Sequence, residues 1–428
     1  MTKKKLVCFG PGPKFKGGIS NYNTSLAKAL DREANTEVHI VSWTQQYPAI
    51  IPREFVDKSS KTDLLEGTDI RVTYLTNYNN PLSWYKTARH IKKLGADQII
   101  FQWSIAVQGL PIGRMISWLK RNTKMEVLVD LHFVLQKEKS TIDRYFTGIG
   151  IGRADTYIVH SLKTFEELKA FYPNRSFKLD YDGDRSEEVK TQSVLKLYHP
   201  IYDLFQPDEK FDVAKFKSDN GLKEKVFLFF GFIRKYKGLH QAIQAFSEVA
   251  KQRDDVSFLI CGESFWQTLD NTKFSTRLKN FLFSAAKKIF LNKQDDEREY
   301  RPLELIDKYG LQDRTMVVNE FVANEDVHKY FQVSDCVVLY YLTATPSGIE
   351  SLSYNFELPI LATKVGHFPE TIKDGFNGYL AEDRDIKSMS QVMNKYLDQP
   401  LDRKNVATVA SDLSWENYAK VVMGTKNT

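Results

Sequence analysis

Cysteine is scarce in this sequence, and long runs of apolar residues are missing. The three cysteines among 428 residues are Cys8, Cys261 and Cys336, and each lies in an apolar stretch without paired spacing. This pattern predicts buried free thiols in a reducing compartment and argues against a disulfide framework or a cysteine metal site. No apolar run approaches the length of about eighteen residues that a membrane-spanning helix needs.

The net charge of the sequence is also small. The sequence has 60 basic and 54 acidic residues, which gives a net charge of +6. One or two basic patches for a diphosphate or a membrane surface would account for it, so we do not expect nucleic acid as a partner. Residues 1–10 pass from a basic triplet into a short apolar run, too short for a secretory signal, which predicts a cytoplasmic protein.

Short apolar strands alternate with helical patterns along most of the chain. Lys5 to Phe9, Gln98 to Trp103 and Lys225 to Phe230 are examples of the strands, and each is followed by a helical spacing of apolar residues. This alternation predicts an α/β fold with two Rossmann-like domains, each a doubly wound parallel sheet. Residues 174–195 interrupt the pattern with many acidic residues and are interpreted as a solvated insertion.

The chain length favours two domains, and the segment from His199 to Tyr202 is the expected crossing between them. We assign residues 1–199 to the first domain and 200–414 to the second. The final helix, within residues 415–428, is expected to pack back on the first domain.

The loop after the first strand contains Gly17 and Gly18 and leads into a helix. Strand, glycine loop and helix is the general arrangement that holds a phosphate, although a flexible turn is the alternative. The Lys-Ser/Thr of a P-loop does not follow, and G-x-G-x-x-G is broken, so a dinucleotide-binding domain is disfavoured.

Two further loops in the second half of the chain suit an anion. Arg234 and Lys237 stand between a strand and a helix, where a guanidinium and an ammonium can hold phosphate oxygens. A solvated basic turn is the alternative. Later, Ser347 and Gly348 precede a helical pattern whose N–H groups and dipole would face the same kind of ligand.

The carboxyl edge of the first sheet is expected to gather several polar side chains. His132 stands at the end of an apolar strand, and Gln102, Trp103 and Glu138 fall at the same edge. A satisfied structural histidine is the alternative to one that contacts substrate. Residues 274–293 combine aromatic, aliphatic and basic residues, and either contact an anionic membrane or pack on the domain.

With these residues placed, the sequence resembles a family 4 glycosyltransferase over nearly its whole length. The likeness is carried by short segments in a shared order. They are Gly17-Gly18, Phe101-Gln102-Trp103, His132 to Glu138, Ala154-Asp155 through His160-Ser161, His199 to Asp203, Gly231 to Gly238, Ser334-Asp335-Cys336, Ser347-Gly348-Ile349 with Pro359, Gly366 to Glu370, and Asp374 to Gly378.

The resemblance implies the retaining GT-B fold, with acceptor bound by the first domain and nucleotide-sugar donor by the second. Gln102, Trp103 and Glu138 are then the candidate residues on the acceptor side. It implies that Arg234 and Lys237 grip the donor diphosphate and that Gly17 and Gly18 lie close to it. It further implies that His132 lies near the transferred sugar. Backbone groups of Ser347, Gly348 and Ile349 would contact phosphate or sugar, and neither a metal nor another cofactor would be needed.

One departure from the family concerns its two glutamates seven residues apart. In this sequence the first glutamate position falls near Ala344 or Thr345 and the second near Leu352 or Ser353. Neither position holds a glutamate, so the functions of the family's two glutamates are not assigned to these residues. Glu350 remains a candidate donor-binding residue.

The expected function is transfer of a sugar from a nucleotide-sugar donor to a glycan or lipid-linked acceptor in surface polysaccharide biosynthesis. The alternatives are a GT-B scaffold without activity, and a sugar-nucleotide epimerase or sugar phosphorylase on the same fold.

Overall fold

Two parallel sheets, one in each half of the chain, form the framework of the computed structural model. It describes residues 3–48, 55–135, 140–188, 190–264, 300–346 and 348–424. The strands of the first sheet are β1 (Lys4–Phe9), β2 (Thr36–Gln45), β3 (Arg71–Asn77), β4 (Gln98–Trp103), β5 (Glu126–Leu131), β6 (Thr156–Val159), β7 (Ser176–Asp180) and β8 (Thr191–Lys196). Those of the second are β9 (Lys225–Phe230), β10 (Val256–Cys261), β11 (Thr315–Val318), β12 (Cys336–Leu339), β13 (Ile360–Thr363) and β14 (Gly378–Ala381).

Helices connect the strands and cover both faces of each sheet. The helices of the first half are α1 (Gly18–Arg32), α2 (Pro81–Leu94), α3 (Gly109–Asn122), α4 (Thr141–Ile151) and α5 (Leu162–Phe171). Those of the second half are α6 (Val213–Asp219), α7 (Leu239–Ala250), α8 (Glu304–Lys308), α9 (Val327–Gln332), α10 (Gly348–Asn355), α11 (Phe368–Thr371), α12 (Ile386–Asp398), α13 (Arg403–Asp412) and α14 (Trp415–Met423).

All strand pairings within the two sheets are parallel, as the alternation of strands and helices predicts. The order is β3-β2-β1-β4-β5-β6-β8-β7 in the first sheet and β11-β10-β9-β12-β13-β14 in the second. Strands near the middle of the sheets, such as β4 and β10, are buried at every position. Burial on both faces explains why these strands are continuous apolar runs rather than alternating ones. The predicted pair of doubly wound α/β domains is therefore confirmed.

The side chains of β1 divide between two cores. Leu6 and Cys8 pack in the core that contains α1, whereas Val7 and Phe9 pack in the core formed with α2 and α3. The α1 core continues across the domain boundary and includes residues of α10 and α14. Buried apolar contact therefore joins the two domains on the α1 side, and α2 and α3 cover the opposite face of the first sheet.

The chain crosses between the two sheets twice, and the two crossings contact each other. After β8 the backbone N–H of Ile201 donates to the carbonyl oxygen of Leu413 at 3.1 Å. The indole Nε1 of Trp415, at the start of α14, donates to the carbonyl oxygen of Ile201 at 2.6 Å. Helix α14 then packs on α1, where the hydroxyls of Tyr22 and Tyr418 lie 2.5 Å apart.

The interpretation of 174–195 as a solvated insertion is wrong for two stretches, β7 and β8. Both strands extend the first sheet, since β8 pairs with β6 and β7 pairs with β8. Val194 and Leu195 of β8 are buried in the two cores of that sheet. The acidic residues lie in the loop between them, where Asp180 Oδ1 accepts three backbone N–H bonds of 2.7–2.9 Å. Its acidic composition concealed the strands on either side.

The prediction of buried free thiols is confirmed for Cys8, Cys261 and Cys336. Within the described ranges, no helix combines the length and the apolar character needed to cross a bilayer. The segment 274–293, for which a membrane contact is predicted, lies outside the described residues.

Candidate active site

Two loops at the carboxyl ends of β1 and β9 face each other across the domain boundary. The first contains Gly17 and Gly18 and leads into α1. The second begins at Gly231 and leads through Lys237 into α7. A β-carbon built on Gly17 would lie 3.8 Å from Cε2 of Phe232, so the glycine loop of the first domain contacts the basic loop of the second. Both lie where open parallel sheets bind ligands.

Tyr202 lies between the first residues of α1 and α10. Its hydroxyl donates a hydrogen bond of 2.7 Å to the carbonyl oxygen of Gly18. Its ring covers Gly348, because a β-carbon built there would lie 2.5 Å from Tyr202 Cε2. Only glycine fits at position 348 with the ring in this place. A single buried tyrosine thus fixes the separation of two helix starts from different domains.

The ammonium group of Lys237 is buried beside Gly231 and Ile349. A β-carbon built on Gly231 would lie 2.8 Å from Lys237 Nζ and 3.2 Å from Ile349 Cδ1. Gly231 has φ of 94°, which favours glycine independently of the available space. These contacts place the cation close to the start of α10, whose first N–H groups lack partners within the helix.

Burial lowers the pKa of Lys237 to about 7, and the positive charge of Arg234 lowers it in the same direction. Among the described residues no carboxylate offsets either effect. The guanidinium carbon of Arg234 lies 5.6 Å from the centre of the Tyr236 ring, and its side chain is partly exposed. A pair of cations near a helix N-terminus, one of them deeply buried, is an arrangement that an anionic ligand would stabilise.

Gly348 and Ile349 occupy the start of α10, the helix that the pattern after Ser347 and Gly348 predicts. Ser347 lies outside the described residues, so its predicted backbone contact is not placed. Helix α10 has eight residues and directs its N-terminus toward the loop that holds Lys237. The predicted phosphate-binding residues Gly17, Gly348 and Lys237 therefore come together at one end of the cleft.

Glu350 is buried in a hydrogen-bonded network rather than exposed in the cleft. Its carboxylate pairs with Nε2 of His367 and accepts from Oγ1 of Thr371 and, at 3.3 Å, from Oη of Tyr354. Asn377 Nδ2 donates to Tyr354 Oη at 3.2 Å and extends the network. These bonds hold α10 against α11, which is a structural role. Donor binding by Glu350 stays an untested prediction.

A small pocket lies between α10 and the first domain. Its volume is about 10 Å³, which is close to what a single water molecule occupies. The polar lining comes from both domains and is formed by His160, Tyr198, His199, Glu350, Ser351, His367 and Thr371. Nδ1 of His367 is buried without a hydrogen-bond partner among the described residues. The pocket suits one ordered water.

His132 follows β5 and hydrogen-bonds to a predicted neighbour. Its Nε2 lies 2.8 Å from Oε1 of Gln102 at the end of β4. Because a carbonyl oxygen can only accept, Nε2 carries the hydrogen and Nδ1 is the acceptor nitrogen of a neutral ring. Burial lowers the pKa of His132 to about 4, against a smaller opposite effect of Asp130. His132 is thus a neutral, oriented imidazole at neutral pH.

A cluster of aromatic and imidazole rings surrounds His132. The ring of Tyr22 lies 4.8 Å from the rings of His132 and His199 and 5.7 Å from that of His160. His160 Nε2 bonds to Asp130 at 2.7 Å in full burial. Burial would raise the pKa of Asp130, but His160, His132 and the hydrogen bond of Tyr22 together outweigh it and lower the pKa to about 2.

Trp103 and Glu138 were predicted on the acceptor side. The side chain of Trp103 is fully buried and packs on α4, where a β-carbon on Gly150 would lie 2.3 Å from Trp103 Cζ3. This position gives Trp103 a packing role, and its contact with acceptor stays a prediction. Glu138 lies outside the described residues.

Tyr22, His160, His199 and Tyr202 are site neighbours that the sequence did not single out individually. His160, His199 and Tyr202 lie within segments that resemble the family, and this was the available signal. Their proximity to His132 and Gly348 depends on contacts between residues far apart in sequence, which no local pattern contains.

About half of the chain is similar in sequence to known proteins. Residues 210–412 match the family model for glycosyl transferases group 1, which covers Arg234, Lys237 and Gly348. The chain is 23% identical over 248 residues to Spore coat protein SA of Bacillus subtilis, spanning 55% of this chain and 58% of that protein. It is 25% identical over 256 residues to N-acetyl-alpha-D-glucosaminyl L-malate synthase of Bacillus anthracis, spanning 55% and 57%. The matches thus span less than three fifths of each relative.

Solved structures share the fold over nearly the whole chain. A glycosyltransferase from Rickettsia africae superposes with a TM-score of 0.64 at 16% identity, covering 100% of both chains. HepE of Anabaena in complex with UDP and glucose gives 0.59 at 16% identity, covering 99% of this chain and 97% of that one. Sucrose-phosphate synthase from Thermosynechococcus elongatus gives 0.58 at 15% identity, covering 99% and 95%. Residues 210–412 therefore match the group 1 glycosyltransferases, and the two facing parallel-sheet domains have the GT-B fold.

Proposed function

We propose that this protein is a retaining glycosyltransferase that moves a sugar from a nucleotide-sugar donor to a glycan or lipid-linked acceptor. The observation that carries the proposal is the buried ammonium of Lys237, next to Arg234 and the start of α10. Burying a cation is unfavourable unless an anion accompanies it. The diphosphate of a nucleotide sugar supplies that charge in this position.

In this proposal the cationic end of the cleft stabilises the leaving nucleoside diphosphate. Negative charge grows on the diphosphate as the bond to the sugar breaks. Lys237, Arg234 and the N–H groups at Gly348 and Ile349 are directed at that charge and already in place before reaction, which lowers the barrier. These groups take over the electrostatic task of a metal, so we propose that neither a metal nor another cofactor is needed.

His132 would bind the sugar that is transferred. Its ring is neutral and held by Gln102, and its Nδ1 can accept a hydrogen bond from a sugar hydroxyl. The configuration at the anomeric carbon is retained if the acceptor attacks the face of the sugar from which the diphosphate leaves. A phosphate oxygen of the leaving group then takes the acceptor proton. This path requires no pair of carboxylates in the cleft.

The names of related proteins support the substrate class. HepE was solved with UDP and glucose and with UDP-glucose, and the malate synthase is named for an N-acetylglucosaminyl product. We propose action in surface polysaccharide biosynthesis, in the cytoplasm, with the low excess of charge arguing against nucleic acid as a partner.

A mass-spectrometric screen of nucleotide sugars against lipid-diphosphate and oligosaccharide acceptors tests the proposal most directly. A product whose mass equals acceptor plus one sugar is expected for at least one pair. The Arg234→Ala and Lys237→Ala variants should lose that product while retaining the wild-type circular dichroism spectrum. Wild-type rates in both variants would remove this pocket from the mechanism.

A scaffold without transferase activity is the second candidate, and the burial of Glu350 favours it. The carboxylate is fully engaged by three described side chains, and the family's glutamate pair has no equivalent at its usual positions. Calorimetric titration with UDP and with GDP separates the candidates, because a scaffold should bind neither. An epimerase or phosphorylase would instead turn over donor without any glycan acceptor.

A further inference from the structure

Helices α2 and α3 carry seven cations and no carboxylate. The cations are Lys86, Arg89, Lys92, Lys93, Arg114, Lys120 and Arg121. The net charge of the whole chain is +6, so the rest of the chain is close to neutral. The positive charge of this protein is therefore not spread evenly, and these two helices account for its sign.

The exposed positions of α2 follow helical spacing. Leu82, Tyr85, Lys86, Arg89 and Lys93 are exposed, whereas residues between them, such as Trp84 and Ile91, pack in the core of the first domain. One side of α2 is thus fixed to the sheet, and its outer side presents two apolar residues followed by cations.

The apolar residues on this outer side are unusually accessible. Leu82 is 71% exposed and Tyr85 is 48% exposed. The Tyr85 ring meets the ring of Trp118 on α3 edge to face, with centres 5.5 Å apart, and the guanidinium of Arg89 lies 5.7 Å from the Tyr85 ring. Leu82, Tyr85 and Trp118 therefore form an apolar group whose border is cationic.

Little negative charge offsets these cations. Lys120 pairs with Asp155. The other six form no ion pair with any carboxylate in the described ranges, although the neighbouring helices and strands are all described. The surface consequently keeps a positive potential that a densely anionic partner would neutralise.

We propose that this surface, the seven cations with Leu82, Tyr85 and Trp118, docks on the face of an anionic lipid bilayer. We call it the α2–α3 face. Lipid phosphates would contact the cations, while Leu82 and Tyr85 would enter the boundary between headgroups and acyl chains. Exposed leucine and tyrosine bordered by lysine and arginine suit that boundary, because it has a polar and an apolar side.

The orientation of α2 connects this surface to the cleft. Helix α2 begins beside the end of β3, where Trp84 Nε1 donates to the carbonyl oxygen of Asn77 at 2.8 Å. Leu82 and Tyr85 are thus close to the carboxyl edge of the first sheet, the edge at which Gly17 and His132 lie. Docking would hold the mouth of the cleft near lipid, whether or not the protein transfers sugars.

Sedimentation of the full chain with vesicles tests the proposal. We expect binding to vesicles that contain phosphatidylglycerol, no binding to pure phosphatidylcholine, and release as salt is raised. The double variant Lys86→Glu/Arg89→Glu should weaken binding by about tenfold or more. Leu82→Ser/Tyr85→Ser should weaken it at the same charge, which a purely electrostatic attachment would not show.

The matched control is Lys387→Glu/Lys404→Glu, which reverses two exposed cations on the second domain. It should bind vesicles as the wild type does. All variants should keep the wild-type melting temperature and UDP affinity, which separates this surface from the donor site. The proposal is overturned if reversal at Lys86 and Arg89 leaves vesicle binding unchanged, because residues outside the α2–α3 face, such as 274–293, then attach the protein. It is also overturned if the wild type does not bind vesicles but binds duplex RNA, and if Lys86→Glu/Arg89→Glu weakens that RNA binding.

Discussion

His199 and Ser351 join the two domains through a hydrogen bond of 2.7 Å between Nδ1 and Oγ. His199 follows the last strand of the first sheet, and Ser351 lies on α10 beside the candidate donor site. Both side chains are buried, and the His199 ring packs against Tyr22 and Tyr202. The contact therefore couples the position of α10 to the protonation state of His199 in the first domain.

Stability should fall as the pH drops below about 6.5, the ordinary pKa of histidine. Burial lowers the pKa of His132 to about 4, and burial with the charges of His160 and His132 lowers that of His199. Below pH 6.5 the unfolded chain takes up protons at these positions and the folded chain does not. Urea denaturation between pH 7 and 4 should show a decline of up to about 1.4 kcal/mol per pH unit for each histidine.

The variants His132→Gln and His199→Gln should each make that decline shallower. His328→Gln is the control, since His328 is partly exposed and bonds to Gln332 within α9. An unchanged slope in the double variant would assign the pH dependence to other groups.

UDP affinity should weaken as the pH rises above about 7. The pKa of Lys237 is lowered to about 7 in the unliganded protein, and a bound diphosphate would raise it. Binding above pH 7 then requires uptake of a proton, which costs up to about tenfold in affinity per pH unit. Calorimetry in two buffers of different ionisation enthalpy measures the uptake directly.

Lys237→Met should weaken UDP binding by about tenfold or more and remove the proton uptake. The exposed neighbour Lys235 supplies the control, because Lys235→Met keeps the buried cation. Proton uptake that persists in Lys237→Met would locate the titrating group elsewhere.

Gly348→Ala should reduce donor turnover by about tenfold, because the added methyl group displaces the Tyr202 ring and with it the start of α10. Tyr202→Phe removes only the hydrogen bond to Gly18 and should cost about 1 kcal/mol in unfolding free energy. If the steric account is right, Tyr202→Ala combined with Gly348→Ala restores part of the turnover that Gly348→Ala loses. A double variant no better than Gly348→Ala would contradict it.

Gln102→Leu should lower the turnover number by about tenfold with little change in UDP affinity. The change leaves Nε2 of His132 without its acceptor and lets the ring reorient. Steady-state kinetics with saturating donor and UDP titration separate the two effects. Gln192→Leu, which removes a surface-side bond to the carbonyl of Ala154, should alter stability alone.

Glu350→Gln distinguishes the structural role of this residue from donor binding. A structural role predicts a loss of about 1–3 kcal/mol in unfolding free energy, because His367 and Thr371 lose their charged partner. Affinity for UDP and for the UDP-sugar should then change in parallel. Selective loss of affinity for the UDP-sugar would instead show that the carboxylate contacts the sugar.

Local patterns in the sequence predicted those elements whose boundaries are set locally. Strands β4 and β9 have the predicted bounds, because each is a short and largely apolar run. The convergence of Gly17, Lys237 and Gly348 could be anticipated from the rule that parallel sheets bind ligands at their carboxyl edge. The family resemblance added residue roles to this framework, and those of Arg234 and His132 remain proposals.

Positions decided by long-range packing could not be predicted in this way. Tyr202 covers Gly348 across 146 positions of sequence, and Glu350 turns toward His367 and Thr371 because both side chains bond to its carboxylate. Strand β8 was missed because an acidic loop precedes it, although neighbouring strands determine its place in the sheet. In each case the deciding contact joins segments that are not adjacent in the sequence.

The two crossings between the domains lie side by side and are hydrogen-bonded through Ile201, Leu413 and Trp415. A single covalent connection would let one domain swivel about several axes relative to the other. Two connections that are bonded together would restrict the rotation to one axis, and the two domains would separate at the cleft by turning about that axis. Opening to admit a nucleotide sugar and closing around it would then follow the same arc in opposite directions, so each return would bring α10 back into register with the glycine loop of the first domain.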